Sequence, residues 1–174
     1  MKLEYDSKYF MNKAIEEAQL ALSKGEVPIG AVVVIENQII ARAHNLTETL
    51  NDVTAHAEIL AITAAENYLG GKFLNGCSMY VTLEPCQMCA GALYWSRISN
   101  LFYAASDLKR GFTIMGSTLH PKTKVNSGIL ENESKELLER FFISRRNLNY
   151  ISSFIFFNFS LSKIKSLSFL FCHL

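Results

Sequence analysis

The sequence has few cysteines and almost no net charge. Of its 174 residues only Cys77, Cys86, Cys89 and Cys172 are cysteine, too few for a small secreted scaffold held by disulfides. The formal charge is +1, which argues neither for nor against a nucleic-acid partner. Uninterrupted apolar stretches are short, with none of the roughly 18 residues that a membrane-spanning helix needs, so no membrane association is expected. Residues 1–6 contain no apolar segment that would act as a secretory signal. With the sparse cysteine, this predicts a reducing, cytoplasmic setting, where a Cys-x-x-Cys pair is a metal or redox site rather than a bridge. No internal repeat and no linker divide the chain.

What is present is a globular composition. Hydrophobic residues make up 49% and charged residues 19%, which excludes wholesale disorder. The length suits one domain with one core. Charge is unevenly placed. Residues 1–100 carry 7 Lys/Arg against 11 Asp/Glu, and residues 101–174 carry 10 against 5. The basic second half could face a polyanion, although charge alone favours an ordinary solvated surface.

Strands alternate with helices along the chain, so the class is α/β. Ser7 is the expected N-cap of a first helix whose apolar residues Phe10, Met11, Ala14, Ile15 and Ala18 recur at helical spacing, with Gly25 closing it. Ala31–Ile35 and Gln38–Ala43 read as a hairpin turning at Glu36-Asn37. Asp52 or Thr54 is expected to cap a helix over 55–68 that ends at Gly70-Gly71. A strand over 78–83 leads to Pro85, suited to a first helical turn, and a helix over 86–97. A strand over 101–105, irregular chain over 107–124 and a short strand over 126–130 follow. An amphipathic helix over 131–147 places Leu137, Leu138, Phe141 and Phe142 on its apolar side. The expected division is a domain over 1–149 and an apolar tail over 150–174, whose last 24 residues hold six Phe and only Lys163 and Lys165 as charges. No catalytic role is expected of the tail.

The informative constellation is His56-Ala57-Glu58 with Pro85-Cys86-Gln87-Met88-Cys89. Two cysteines three apart at a helix start project their sulfurs from one face. A helix N-terminus favours the thiolate form, which is what a zinc ion binds. His56, from the start of the preceding helix, makes a third ligand. Three protein ligands leave one tetrahedral position for water, the catalytic pattern. Glu58, two residues on, is placed to act as a base beside the metal. Two other readings use the same residues: a closed structural site with Cys77 or His44 as fourth ligand, and a redox pair. The first leaves Glu58 without a role. The second leaves His56 unexplained as well.

His-x-Glu followed by Pro-Cys-x-x-Cys is the signature of zinc-dependent deaminases. Glu26–Val32, Asp52–Ile59, Thr82–Ala92, Ala105-Ser106-Asp107 and Phe141-Phe142 followed by Arg145-Arg146 together resemble the bacterial tRNA-specific adenosine deaminases, in the cytidine and deoxycytidylate deaminase superfamily. The resemblance covers about residues 5–148. It implies a three-layer α/β/α cytidine deaminase-like fold with a five-stranded mixed sheet, a homodimer, and one zinc per subunit. It also implies conversion of adenosine to inosine at the wobble position of a tRNA anticodon stem-loop. By position, His56, Cys86 and Cys89 would hold zinc and Glu58 would shuttle protons. Asn45 would bond the flipped nucleotide, Asp107 would meet the anticodon loop, and Arg145 and Arg146 would sit near its phosphates or bases. From the residues alone, Asn45 suits a loop turn, Asp107 a helix cap and the arginines a solvated helix end. Two rival functions share the zinc residues: a deaminase of a free base such as guanine, and a non-catalytic, zinc-stabilised RNA-binding module. Tyr94-Trp95 bears on the first, because aromatics there also occur in that branch; the expected place for them is helix core.

Overall fold

The computed structural model describes residues 5–116 and 118–146. The apolar tail after residue 149 lies outside them. The chain divides into two compact units, Met1–Leu138 and Glu139–Leu174. In the first unit the elements are α1 (Ser7–Ser23), β1 (Gly30–Ile35), β2 (Gln38–His44), the single turn α2 (Thr47–Leu50), α3 (Ala57–Leu69), β3 (Ser78–Leu83), α4 (Gln87–Ser96), β4 (Asn100–Ala105) and β5 (Lys124–Ser127). Residues 131–138 are helical at its end, and 139–146 are helical in the second unit.

The five strands form one mixed sheet in the order β2-β1-β3-β4-β5. β1 pairs antiparallel with β2 and β3, and β4 pairs parallel with β3 and β5. Side-chain alternation along β1 makes the layers. Ala31 and Val33 join Ala57, Ala61 and Ala65 of α3 and Ala90 and Leu93 of α4 in one core. Val32 and Val34 point the other way and pack with Phe10, Met11 and Ala14 of α1. Each strand residue of β1 is therefore committed to one face by parity alone. Gly30 begins β1 because α1 lies directly on it: a Cβ there would overlap the Ala14 carbonyl and the Ala18 amide.

The β1–β2 hairpin turns at Glu36 and Asn37, whose φ angles are 47° and 65°. Two successive left-handed residues match the right-handed twist of the flanking strands. Several boundaries differ from the sequence reading. The N-cap of α1 is Asp6, whose side chain accepts the Tyr9 N–H at 2.8 Å, and not Ser7. Neither Asp52 nor Thr54 caps α3. Asp52 Oδ1 instead accepts from the Thr54 amide (2.8 Å) and hydroxyl (2.7 Å), closing a turn before the helix. α3 consequently starts at Ala57, with His56 at the N-cap. The last strand lies at 124–127 rather than 126–130. Leu137 packs with Ile15 and Ala18, as its position predicts, but Phe142 is 51% exposed.

Candidate active site and metal centre

β3 and β4 run parallel, and their C-terminal residues Leu83 and Ala105 are paired. β1 runs against them, so its first residue, Gly30, lies at that same end beside His44, the last residue of β2. The segments 26–29, 45–56, 84–89 and 106–113 therefore meet at one end of the sheet. Pairing changes from antiparallel to parallel at β3, and open sheets of this kind form crevices outside the carboxyl ends of parallel strands.

Two helix starts face each other here. His56 is the N-cap of α3, Cys86 is the N-cap of α4, and Cys89 lies in the first turn of α4. His56 Nδ1 is 3.7 Å from Cys86 Sγ and 3.5 Å from Cys89 Sγ. One ligand atom from each of the three residues lies within 4.8 Å of the others. A tetrahedral zinc with bonds of about 2.0–2.1 Å to nitrogen and about 2.3 Å to sulfur sets N and S about 3.6 Å apart. The observed separations match that edge, so the donor set fits zinc in both chemistry and size.

The electrostatics agree with a cation site. The Cys86 thiol is held down at about 4, first by a hydrogen bond from the Cys89 thiol and then by one from His56, against the opposing effect of burial. Cys89 is pushed up by its hydrogen bond to Cys86 and by burial. His56 is raised, chiefly by its hydrogen bond to Cys86. Zinc binds thiolates and a neutral imidazole, so filling the site would displace the protons these groups carry.

Glu58 is buried at the second position of α3. Desolvation raises its carboxyl above the ordinary glutamate value, and its side chain is hydrogen-bonded to Cys89. A carboxyl group poised in this way can hold and release protons nearer neutrality.

The spare ligands lie elsewhere. His44 places Nδ1 2.9 Å from Glu17 Oε2 and Nε2 3.0 Å from Lys24 Nζ. Cys77 precedes β3 and is buried in the α3–α4 core, a six-residue strand away from Cys86, which is about 20 Å. Among the described residues, the only such cluster of potential ligands is His56, Cys86 and Cys89.

Asn45 is buried, and its Nδ2 donates to Glu26 Oε2 (3.2 Å) and Thr47 Oγ1 (3.0 Å). Asp107 follows β4. It caps a turn rather than a helix, its Oδ1 accepting the amides of Lys109 (2.9 Å) and Arg110 (3.1 Å). Arg145 and Arg146 belong to the second unit, where the Arg145 guanidinium lies 5.3 Å from the Phe141 ring centroid. Trp95 is not helix core: it is 76% exposed, because Ala90 and Leu93 occupy the buried face of α4. It lines a groove of about 640 Å³ with Ile62, Phe73 and Tyr94 that contains none of the candidate ligands.

Sequence reasoning missed two buried carboxylates. Glu26 accepts, besides Asn45, the Thr47 hydroxyl (3.4 Å) and the amides of Glu48 (3.2 Å) and Thr49 (2.6 Å). Glu84 accepts the amides of Asp107 and Thr113, both at 3.0 Å, and the Thr113 hydroxyl at 2.6 Å. The available signal was an acidic residue at a sheet end, just ahead of a proline.

Residues 5–161 match the MafB19-like deaminase family. A tRNA-specific adenosine deaminase of Agrobacterium fabrum is 47% identical over 144 residues, covering 79% of this chain and 95% of that one. A solved structure from work on A-to-I editing by tRNA:A34 deaminases at the wobble position of transfer RNA superposes with a TM-score of 0.71. It is 47% identical and covers 75% of this chain and 99% of its own. A guanine deaminase from Bacillus subtilis is more distant, with a TM-score of 0.57 and 38% identity over 64% of this chain and 69% of its own.

Proposed function

Because this chain belongs to the tRNA-specific adenosine deaminases, within the MafB19-like deaminase family, we propose that it deaminates adenosine to inosine at the wobble position of tRNA anticodons. The observation that carries the reading is the convergence of His56, Cys86 and Cys89 beside the buried carboxyl group of Glu58. The greater identity to adenosine deaminases than to the guanine deaminase favours the nucleoside in tRNA over a free base. The buried Glu58 favours catalysis over a purely structural zinc module, which has no need of that group.

His56, Cys86 and Cys89 would hold one zinc ion per chain, which when bound supplies a Lewis acid that acidifies water. Glu58 carries the protons. It takes one proton from water and delivers it to the ring nitrogen beside adenine C6 as the hydroxyl adds to that carbon; it then takes the proton of the added hydroxyl and passes it to the exocyclic amine, which leaves as ammonia while the C6 carbonyl forms. The net reaction consumes one water and yields inosine.

The reactive base must be unstacked, and an anticodon loop presents splayed bases. Asn45 and Asp107 flank the candidate centre on two segments at the same end of the sheet and are assigned to the nucleotide and its loop. Arg145 and Arg146 are assigned to RNA phosphates on the strength of their charge and the resemblance. A homodimer is the assembly the resemblance supports, and exposed Trp95 and the groove beside it supply apolar surface for one. No helix among the described residues is long and apolar enough to cross a membrane, and a tRNA substrate suits a cytoplasmic setting.

The deciding experiment incubates purified, zinc-loaded protein with an unmodified tRNA carrying adenosine at the wobble base, and in parallel with guanine. Guanosine read at the wobble base after reverse transcription supports the reading. Ammonia release from guanine alone would overturn it in favour of the free-base activity. Binding of tRNA without inosine would overturn it in favour of the non-catalytic module.

A further inference from the structure

Glu84 stands between the end of β3 and the Pro85-Cys86 turn, with its amide bonded to the Ala105 carbonyl at 2.8 Å. Its buried carboxylate turns toward the segment after β4. One oxygen, Oε2, takes the Asp107 amide, and Oε1 takes both the amide and the hydroxyl of Thr113. The residues between them form a strap that returns to the candidate metal site. Gly111 bridges to Cys86, and the Phe112 amide donates to the Pro85 carbonyl at 2.9 Å. Gly111 is packed so closely on the Glu84 carboxylate that a Cβ would overlap it.

We propose that Glu84 is a positioning residue for this reaction, which holds the 107–113 strap against the Cys86 turn and so presents Asp107 to the anticodon loop. The chemistry selects a carboxylate. Both ends of the group meet donors, and glutamate alone among side chains of this length offers acceptors at both. Glutamine would set an NH2 against an N–H or O–H at one end. The inference rests on the tRNA deaminase reading for what the strap does, but not for how it is held.

The test combines hydrogen exchange without RNA, zinc content per chain, and kinetics on an anticodon stem-loop. In Glu84→Gln the amides of Asp107 and Thr113 should exchange about tenfold faster or more, because a buried donor loses its acceptor. KM should rise by about tenfold, while kcat and zinc content stay within about twofold of the wild type. Gly111→Ala, which leaves the carboxylate chemistry intact, should give the same pattern by displacing it. Glu84→Asp combined with Gly111→Ala frees the space that Ala occupies, and should lose less than the two single changes combined. Thr113→Val provides a milder probe should Glu84→Gln fail to fold, with faster exchange confined to the strap.

Unchanged exchange at Asp107 and Thr113 would overturn the proposal. So would faster exchange with an unmoved KM, which would make Glu84 structural only, or loss of zinc in step with activity, which would place its action on the Cys86 turn. Absence of inosine with the wild-type chain sinks the deaminase reading alone, since the exchange measurement still decides whether Glu84 holds the strap.

Discussion

The Glu26 carboxylate accepts the backbone N–H of Thr49 at 2.6 Å across a separation of 23 residues. It gathers the turn that carries Asn45 onto the start of β1. Burial alone would push this carboxyl group up, but the hydrogen bonds from Thr49, Glu48 and Thr47 together outweigh it and hold the value below that of an ordinary glutamate. A lowered folded-state value means that the ionised form stabilises the fold above the unfolded pKa, and that this contribution is lost as pH falls through the folded one.

Glu26→Gln is accordingly expected to lower stability at pH 7 by about 1–3 kcal/mol, the cost of leaving buried donors without their acceptor. The gap from wild type should close as pH drops below the ordinary glutamate value of about 4.3. Denaturant midpoints for both proteins from pH 7 to pH 3 measure it. A gap that stays constant over that range contradicts the assignment.

Glu58→Ala and Cys86→Ala should fail in different ways. The first removes the proton carrier and leaves His56, Cys86 and Cys89 in place, so zinc content stays near one per chain while turnover falls by about 10²–10⁴-fold. The second removes a ligand, so metal and turnover disappear together. Metal analysis beside single-turnover kinetics separates the two, and full turnover in Glu58→Ala contradicts the mechanism.

Gly30→Ala tests the packing of α1 on β1. The added methyl meets the backbone of Ala14 and Ala18, neither of which can move without shifting the helix. A stability loss of about 1–3 kcal/mol or more is expected, read as a lowered Tm. Gly71→Ala is the control, because a Cβ there meets nothing within 4 Å, and its Tm should stay close to that of the wild type.

If Arg145 and Arg146 bind RNA phosphates, replacing both with Ala should weaken tRNA binding and flatten its salt dependence. The slope of log Kd against log salt falls by about 0.7–0.9 for each phosphate that is no longer neutralised. An unchanged slope in a filter-binding or fluorescence titration assigns these arginines to the solvated helix end instead.

The order of strands and helices, the Glu36-Asn37 turn and the convergence of His56, Cys86 and Cys89 could all be read from the sequence. The first two, and the pairing of Cys86 with Cys89, depend on local geometry: two-residue alternation in strands, left-handed φ at a hairpin, and two thiols one helical turn apart; His56, 30 and 33 residues from the cysteines, was legible through the deaminase signature. What the linear pattern left open was decided by partners far along the chain. Glu26 and Glu84 became loop anchors because their acceptors meet donors 19 to 29 residues away. His44 was drawn off the metal site by Glu17. Trp95 was left in solvent because Ala90 and Leu93 had already filled the buried side of α4. Spacing along a chain dictates which side chains share a face, but only packing of the whole sheet and its helices determines what that face meets.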